Sequence, residues 1–173
     1  IRNMLKAFKK ASGKPVYAHV EYAMADQKSY YLATVADKIV VHPEASIDFR
    51  GLGGEMMFYK KLLDKVGVEM QIVRHGKFKA AVEPFMLDKM SKENREQQLT
   101  YMTSLWNHML KGISEARNIP VEKLNVLADE VQTFNKGTKA VETGLVDAAK
   151  YKDEVLDDLR KIAGIEGTKG VPV

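Results

Sequence analysis

Hydrophobic and polar positions along the first half of the chain follow two different spacings. Apolar residues three and four positions apart are typical of an amphipathic helix, and alternating apolar residues are typical of a strand. Helical spacing occurs in residues 1–13, 28–36 and 55–66, and strand patterns occur in residues 14–23, 37–43 and 68–76. This order of helix, strand, helix, strand, helix, strand predicts an α/β domain.

A long helix dominates the prediction for the second half of the chain. Ser91 belongs to the residue types that cap helices, and it precedes an apolar stripe with the helical period. We expect this stripe to pack on a large surface. It consists of Leu99, Met102, Trp106, Met109 and Ile113. Shorter helices are predicted to begin at Pro120, to end at Gly144 and to cover residues 151–164, before a tail of linker composition.

Composition narrows the class of protein. With 173 residues, of which 45% are hydrophobic and 29% charged, the chain suits one globular domain. The absence of cysteine excludes disulfides and thiolate chemistry and fits the cytosol and the periplasm equally well. No apolar run reaches the roughly 18 residues that a membrane span needs. Because Ile1 already stands inside a predicted helix, we expect the natural protein to begin upstream.

Charge and motif patterns give little support to a metal, a cofactor or a nucleic acid. The net charge of +4 comes from charges of alternating sign, which leaves affinity for phosphate or anionic lipid open but predicts no nucleic-acid partner. The glycines of residues 51–54 lack the spacing of a dinucleotide site, so we expect a tight turn and no cofactor. The histidines lack metal-ligand spacing, so we expect no metal site. They are His19, His42, His75 and His108.

Six serines are candidate nucleophiles, but none lies in a G-x-S-x-G turn. Most of them stand at helix ends or inside helices and have a structural explanation. Only Ser29 and Ser46 lie near predicted turns. The residue patterns therefore favour no serine as a nucleophile.

Lys79 stands where a strand pattern and a His-Gly bend give way to apolar residues. A lysine that acts as a general base must be uncharged, and desolvation favours the uncharged form. In a regular helix Glu83 would reach Lys79, although Pro84 disfavours the helical conformation at Glu83. From spacing alone, an ordinary surface lysine is the favoured interpretation of Lys79. Lys77 is expected to be a solvated lysine in either case.

Residues 30–98 carry an ordered set of short motifs. They are Tyr-Tyr-Leu-Ala, Ala-Asp-Lys-Ile, a strand that ends in proline, an Asp-x-x-Gly turn, Tyr-Lys-x-Leu-Leu, and Gly-x-x-Lys-x-Ala-Val-Glu-Pro-Phe. The chain resembles in these motifs the amino-terminal domain of signal peptide peptidase A, or protease IV, of the long bacterial type in peptidase family S49. The resemblance extends more weakly to GLVDA at residues 144–148. It implies an α/β fold of the ClpP/crotonase type, a spiral of ββα units with additional helices.

The resemblance also implies a catalytic role for Lys79. In that family the lysine of the last motif is the general base of a Ser-Lys dyad. The family's nucleophile is a serine before Gly-Gly-Tyr in a second, homologous domain. Here Gln27 stands in the matching place, and Lys28 and Ser29 replace the glycines that would let the backbone approach a substrate. We therefore expect the nucleophile to lie outside these residues.

The organisation that follows is half of an active site. We expect residues 1–150 to form a lysine-bearing amino-terminal domain, incomplete at its start, and residues 151–173 to form a terminal helix and linker toward a missing serine-bearing domain. The partner is that second domain or a neighbouring subunit of a homo-oligomer, for which the resemblance favours a tetramer. The chain alone is expected to be inactive.

The implied function is degradation of cleaved signal peptides by a membrane-associated serine endopeptidase. The resemblance places it at the bacterial inner membrane, facing the periplasm and anchored by a segment outside this chain. One alternative is a catalytically inactive scaffold or oligomerisation module of the crotonase fold, which the glutamine at position 27 motivates. An acyl-CoA enzyme of the same fold is a further alternative, disfavoured because the glycine backbone donors are missing.

Overall fold

The computed structural model describes residues 1–21, 24–132 and 135–165, which form short parallel strands and helices. The strands are β1 (Tyr17–Val20), β2 (Met24–Ala25), β3 (Lys38–Val41), β4 (Ser46–Ile47) and β5 (Ala148–Ala149). The helices are α1 (Arg2–Ser12), α2 (Gln27–Ala33), α3 (Lys60–Lys65), α4 (Glu83–Met86), α5 (Lys92–Arg117), α6 (Val121–Asp129), α7 (Gly137–Thr143) and α8 (Lys152–Ala163), with a 3₁₀ turn at Ala80–Val82. The mixture of parallel strands and helices confirms the predicted α/β class.

The chain divides into two compact units, with one boundary after Gly51 and the other within α5. The first unit comprises Ile1–Gly51 and the described residues from Met109 onward, and the second comprises Leu52–His108. Helix α8 belongs to the first unit. The expected boundary at residue 150 concerns the longer protein and stays a prediction.

Two parallel sheets form the centre of the first unit. One has the strand order β1-β3-β5, with Tyr17 opposite Lys38 and Val40 opposite Ala148, and the other pairs β2 with β4. Because parallel neighbours need a crossover, α2 lies between β1 and β3 in sequence. The central strand reads Lys-Ile-Val-Val and buries its last three residues, as strands covered on both faces do.

The core of the first unit is apolar. Its fully buried side chains come from α2, from the central strand, from β4 and the residues after it, from the second part of α5, from α6 and from the residues after α7. The largest are Tyr30, Ile39, Ile47, Phe49, Leu110, Ile113, Leu124 and Leu145. Met109 and Ile113 of the predicted stripe on α5 are among the buried residues of this unit, whereas Leu99, in the second unit, is half exposed.

The second unit has a different interior. Over residues 52–108, all of which the structure describes, only Glu83 and Asn94 are buried, and both are fully inaccessible to solvent. Large apolar side chains stay exposed there. They include Met57, Leu62, Val66, Val68, Met70, Val73 and Phe78. Polar contacts, rather than an apolar core, therefore organise this unit.

Local signals place most of the predicted elements correctly. Helix α2 and strands β1 and β3 are confirmed, and the hydroxyl of Ser91 accepts a hydrogen bond of 3.1 Å from the backbone N–H of Asn94, which caps α5. Helix α6 begins after Pro120. Helix α7 ends at Gly144, whose φ of 83° is the left-handed conformation that glycine adopts without strain. Part of the predicted first strand, at residues 22–23, and most of the predicted linker tail, at residues 166–173, lie outside the described residues.

Two predictions for the second unit are wrong. The strand predicted over 68–76 is absent, and between Glu69 and His75 no described backbone N–H donates to another backbone carbonyl. Alternating apolar residues form a strand only where a neighbouring strand is available to pair with. The described part of the chain supplies no such strand here. The helix predicted over 55–66 is shortened to α3, which has no side-chain cap and starts only at Lys60.

None of the described helices combines the length and the apolarity that crossing a bilayer requires.

Candidate active site

Lys79 lies in the second unit, directly before the 3₁₀ turn of Ala80–Val82. The turn follows Gly76, whose φ of 87° lets the chain bend at a position where a side chain would be strained. The backbone N–H of Lys79 donates a weak hydrogen bond of 3.5 Å to the carbonyl of Gly76. The local sequence thus places the lysine at a bend instead of on a regular element.

The side chain of Lys79 is exposed and lines a cleft of about 570 Å³. The walls of the cleft are largely apolar, with two glutamines and an asparagine among them. Its lining includes Met56, Phe78, Ala80, Ala81, Pro84, Asn94, Gln97, Gln98 and Tyr101. Within the described part of the chain, no carboxylate forms an ion pair with the Lys79 ammonium group. The desolvation expected of a lysine base is therefore not supplied by this chain alone.

Glu83 is not the partner of Lys79. Its buried carboxylate accepts hydrogen bonds from the hydroxyl of Ser91 at 2.5 Å, the backbone N–H of Ser91 at 3.2 Å and the side-chain amide of Asn94 at 2.9 Å. Although Pro84 follows it, Glu83 has helical angles, with φ −55° and ψ −37°, so the predicted effect of Pro84 is overridden. These contacts turn the carboxylate toward the start of α5.

The ionisation of Glu83 follows from these contacts. Burial by itself raises the pKa of a carboxyl group, but the hydrogen bonds from Ser91 and Asn94, with the nearby charge of Arg74, hold the pKa of Glu83 below its ordinary value. Glu83 is therefore a buried, charged and fully engaged carboxylate near neutral pH.

Arg74 fixes the start of the loop that carries Lys79. Its guanidinium donates to the backbone carbonyl of Gly76 at 3.1 Å and to that of Lys77 at 2.7 Å, and it lies 3.7 Å from a carboxylate oxygen of Glu83. Sequence reasoning missed this arrangement, because Arg74 and Glu83 are nine positions apart across an irregular loop. The only available signal was the Glu-Pro-Phe of the motif that follows Lys79.

Gln27, which stands at the place of the expected serine, lies in the first unit at the start of α2. Its side-chain amide donates to the carbonyl of Gly51 at 2.8 Å, and its side-chain oxygen accepts from the backbone N–H groups of Arg50 and Gly51, each at 3.2 Å. Ser29 is exposed, and its backbone N–H donates to Asp26, which caps the helix. Both ends of the Gln27 amide are thus used to hold a turn.

The other sequence candidates do not assemble into a site. Helix α3 begins six positions after Gly54, so the glycines of residues 51–54 do not open a helix for an anion. His19 lies in β1 and His42 directly follows the neighbouring strand β3, and burial lowers the pKa of His19. Across residues 1–21, 24–132 and 135–165, no group of three or more His, Asp or Glu side chains is arranged to hold a metal ion.

Comparison with known proteins identifies relatives along nearly the whole chain. The profile of Peptidase family S49 matches residues 8–166. Protease 4 of Haemophilus influenzae is 37% identical over 115 residues, which are 66% of this chain and 18% of that protein. Protease 4 of Salmonella typhi is 35% identical over 161 residues, or 90% of this chain and 24% of that protein. A putative signal peptide peptidase SppA of Enterococcus faecium is 28% identical over 147 residues, or 85% of this chain and 41% of that protein.

The chain therefore spans between 18% and 41% of the length of these relatives. The family match includes the loop of Lys79 and both units of the chain. It agrees with the α/β architecture, which is of the ClpP/crotonase type in this family. The match covers well over half of the sequence, and the chain belongs to peptidase family S49.

Proposed function

We propose that this chain supplies the general base of a serine endopeptidase with a Ser-Lys dyad, and that the base is Lys79. The observation that carries the proposal is the position of Lys79 at a bend on the lip of a largely apolar cleft, in a chain of family S49. An amine at such a place is readily covered by a second polypeptide surface. Covering removes water and favours the uncharged form that a base requires.

The proposed chemistry is acyl transfer through the amine of Lys79. The uncharged Nζ takes the proton of a serine hydroxyl while the serine oxygen forms a bond to the peptide carbonyl carbon. The resulting ammonium returns this proton to the leaving amine as the peptide C–N bond breaks. A water molecule then gives its proton to Nζ and attacks the acyl-enzyme, and the serine oxygen leaves with that proton.

The serine is proposed to come from a second domain of the same protein or from a neighbouring subunit. Gln27 supports this proposal, because its side chain is not a nucleophile and its amide is bound to the backbone of Arg50 and Gly51. The chain by itself is then inactive. A homo-oligomer, with a tetramer as the first candidate, would bring the two halves together.

The substrates proposed are cleaved signal peptides, which are apolar and extended. The apolar walls of the cleft beside Lys79 support this class, because Phe78, Pro84 and Tyr101 offer surface to apolar side chains. The proposed location is the bacterial inner membrane, facing the periplasm, with an anchor in a segment outside this chain.

The test of the proposal compares two neighbouring lysines in the full-length protein. Lys79→Ala is expected to lower kcat for a fluorogenic apolar peptide by about 10³-fold or more, in the range that general-base catalysis contributes. Lys77→Ala is the matched control, because Lys77 is exposed and its contact with Arg74 is made by the backbone carbonyl, which the substitution keeps. Near-normal turnover by Lys79→Ala would contradict the proposal, provided that circular dichroism shows both variants folded.

A second candidate function is a catalytically inactive scaffold. The exposure of Lys79 and the structural engagement of Gln27 favour it. Nuclear magnetic resonance of the Lys79 side chain in the assembled protein separates the two candidates. An uncharged amine near neutral pH supports the base, and a fully charged ammonium supports the scaffold.

A further inference from the structure

The loop that carries Lys79 begins and ends at an ion pair. Arg74 precedes the Gly76 bend and Glu83 follows the 3₁₀ turn, and the Nη1 of Arg74 lies 3.7 Å from the Oε1 of Glu83. The Glu83 side chain is fully buried, and the Arg74 side chain is 21% exposed. Water therefore has little access to the pair. The attraction between the two charges is screened less than it would be at the surface.

Arg74 also acts inside the loop. Its Nε donates to the carbonyl of Gly76, and the same carbonyl accepts the backbone N–H of Lys79. A second guanidinium N–H holds the carbonyl of Lys77, two residues before the lysine. One rigid planar group thus fixes the backbone on the amino-terminal side of Lys79, a task for which arginine suits better than lysine.

Glu83 attaches the other end of the loop to α5. Its two oxygens are bound by Ser91 and Asn94, and Asn94 is the other buried residue of this unit. The Ser91 hydroxyl that donates to Glu83 also caps α5 through the N–H of Asn94. The end of the loop is therefore held by the first turn of the longest helix.

We propose that Arg74 and Glu83 are positioning residues, which clamp the loop so that the amine of Lys79 is held where a serine hydroxyl must meet it. The inference rests on the proposed function of Lys79. Neither side chain touches the reacting atoms, and both act through the backbone that carries the lysine. A displacement of about 1 Å at a reacting group is enough to cost on the order of 10²-fold in rate.

The test uses Arg74→Met in the full-length protein. Methionine keeps an apolar stem but removes the ion pair and both hydrogen bonds to the loop. We expect kcat to fall by about 10- to 100-fold with KM within about twofold, because the substrate surface is kept while the base is displaced. Arg74→Lys is expected to restore only part of kcat, since a compact ammonium group lacks the separate nitrogens with which the planar guanidinium reaches the two carbonyls and Glu83.

A matched control exists in the first unit. Arg117 likewise joins a carboxylate, that of Asp147 at 2.9 Å, to a backbone carbonyl, that of Gly144 at 3.1 Å. Arg117→Met is expected to lower the melting temperature while leaving kcat per folded enzyme unchanged. A general loss of rigidity would lower kcat in both methionine variants, whereas a clamp on Lys79 lowers it only at Arg74.

Lys79→Ala, measured alongside, distinguishes a failure of the clamp from a failure of the proposed base. If Lys79→Ala is inactive and Arg74→Met keeps wild-type kcat, the clamp is wrong and the base stands. If Lys79→Ala is active, the proposed function itself is wrong. Should Arg74→Met fail to fold, Arg74→Lys decides the question, with a kcat at least about fivefold lower at unchanged KM supporting the clamp and wild-type kcat overturning it.

Discussion

The hydroxyl of Tyr30 donates a hydrogen bond of 2.7 Å to the backbone carbonyl of Leu145, although the two residues are 115 positions apart in the chain. Both are fully buried, and the Tyr30 ring meets that of Phe49 edge to face at 6.0 Å between centroids. Burial raises the pKa of Tyr30 far above its ordinary value, so the phenol keeps its proton and stays a donor. The contact ties α2 to the turn before β5.

Tyr30→Phe is expected to lower the free energy of unfolding by about 1–2 kcal/mol. The ring still fills its place, but the Leu145 carbonyl loses its buried donor. Urea denaturation followed by circular dichroism measures the change. Tyr101→Phe serves as the control, because Tyr101 is 64% exposed and its substitution should change stability by less than about 0.5 kcal/mol. Equal stability of wild type and Tyr30→Phe would contradict this account.

Gly137→Ala is expected to destabilise the first unit by about 1–3 kcal/mol. A Cβ at Gly137 would lie 2.6 Å from the backbone oxygen of His42 and 2.8 Å from a methyl group of Val41, so β3 and α7 would have to move apart. Thermal unfolding measures the melting temperature of each variant and of the wild type. Gly53→Ala is the matched control, since a Cβ there meets no atom of the described residues within 4 Å. Similar melting temperatures for the two variants would show that β3 and α7 are not packed so closely.

The buried carboxylate of Glu83 predicts a pH dependence of stability. Because its pKa is lowered in the folded protein, the folded state binds fewer protons than the unfolded state as the solution is acidified. The stability that Glu83 contributes is therefore complete above its unfolded pKa, near 4.3, and is lost as pH falls through its folded pKa.

Glu83→Gln tests this dependence. The variant is expected to be less stable than wild type at neutral pH, and its free energy of unfolding should fall less steeply between about pH 5 and pH 3. Urea denaturation at several pH values measures both slopes. Glu55→Gln, at an exposed position, is expected to keep the wild-type slope. Parallel slopes for wild type and Glu83→Gln would refute the role assigned to this carboxylate.

Gln27→Ser is expected to create no active nucleophile in this chain. The substitution also removes the three hydrogen bonds to Arg50 and Gly51, at a cost of about 1–2 kcal/mol in stability. Labelling with a fluorophosphonate probe measures reactivity, and urea denaturation measures stability. Gln71→Ser, at an exposed position, is the control for stability. A labelled Gln27→Ser chain would show that this half carries its own oxyanion-stabilising groups.

Local signals made much of the first unit predictable. Gly13 and Gly144 end helices in the left-handed conformation, Ser91 caps α5, and the Lys-Ile-Val-Val run is the central strand. Each of these features is decided within a few neighbouring residues. The two-residue strands β2, β4 and β5 carry no comparable pattern and exist because of their partners.

The second unit was predicted less well because tertiary contacts decide it. The alternating Val68, Met70 and Ile72 indicated a strand, yet a strand also needs a neighbour. The motif resemblance pointed to Lys79, but nothing in the spacing revealed that Arg74 and Glu83 meet or that Glu83 turns away from the lysine. Polar clusters assembled across an irregular loop have no period to detect.

The stretch from Glu69 to His75 has a practical consequence for handling the protein. Its backbone N–H groups donate to no backbone carbonyl of the residues that the structure describes, and Val68, Met70 and Val73 expose apolar surface beside them. Backbone N–H groups without a backbone partner, next to β-branched and apolar side chains, can pair with the same segment of another molecule. Preparations of the chain by itself should therefore aggregate as concentration rises, and limited digestion should nick them first in this stretch.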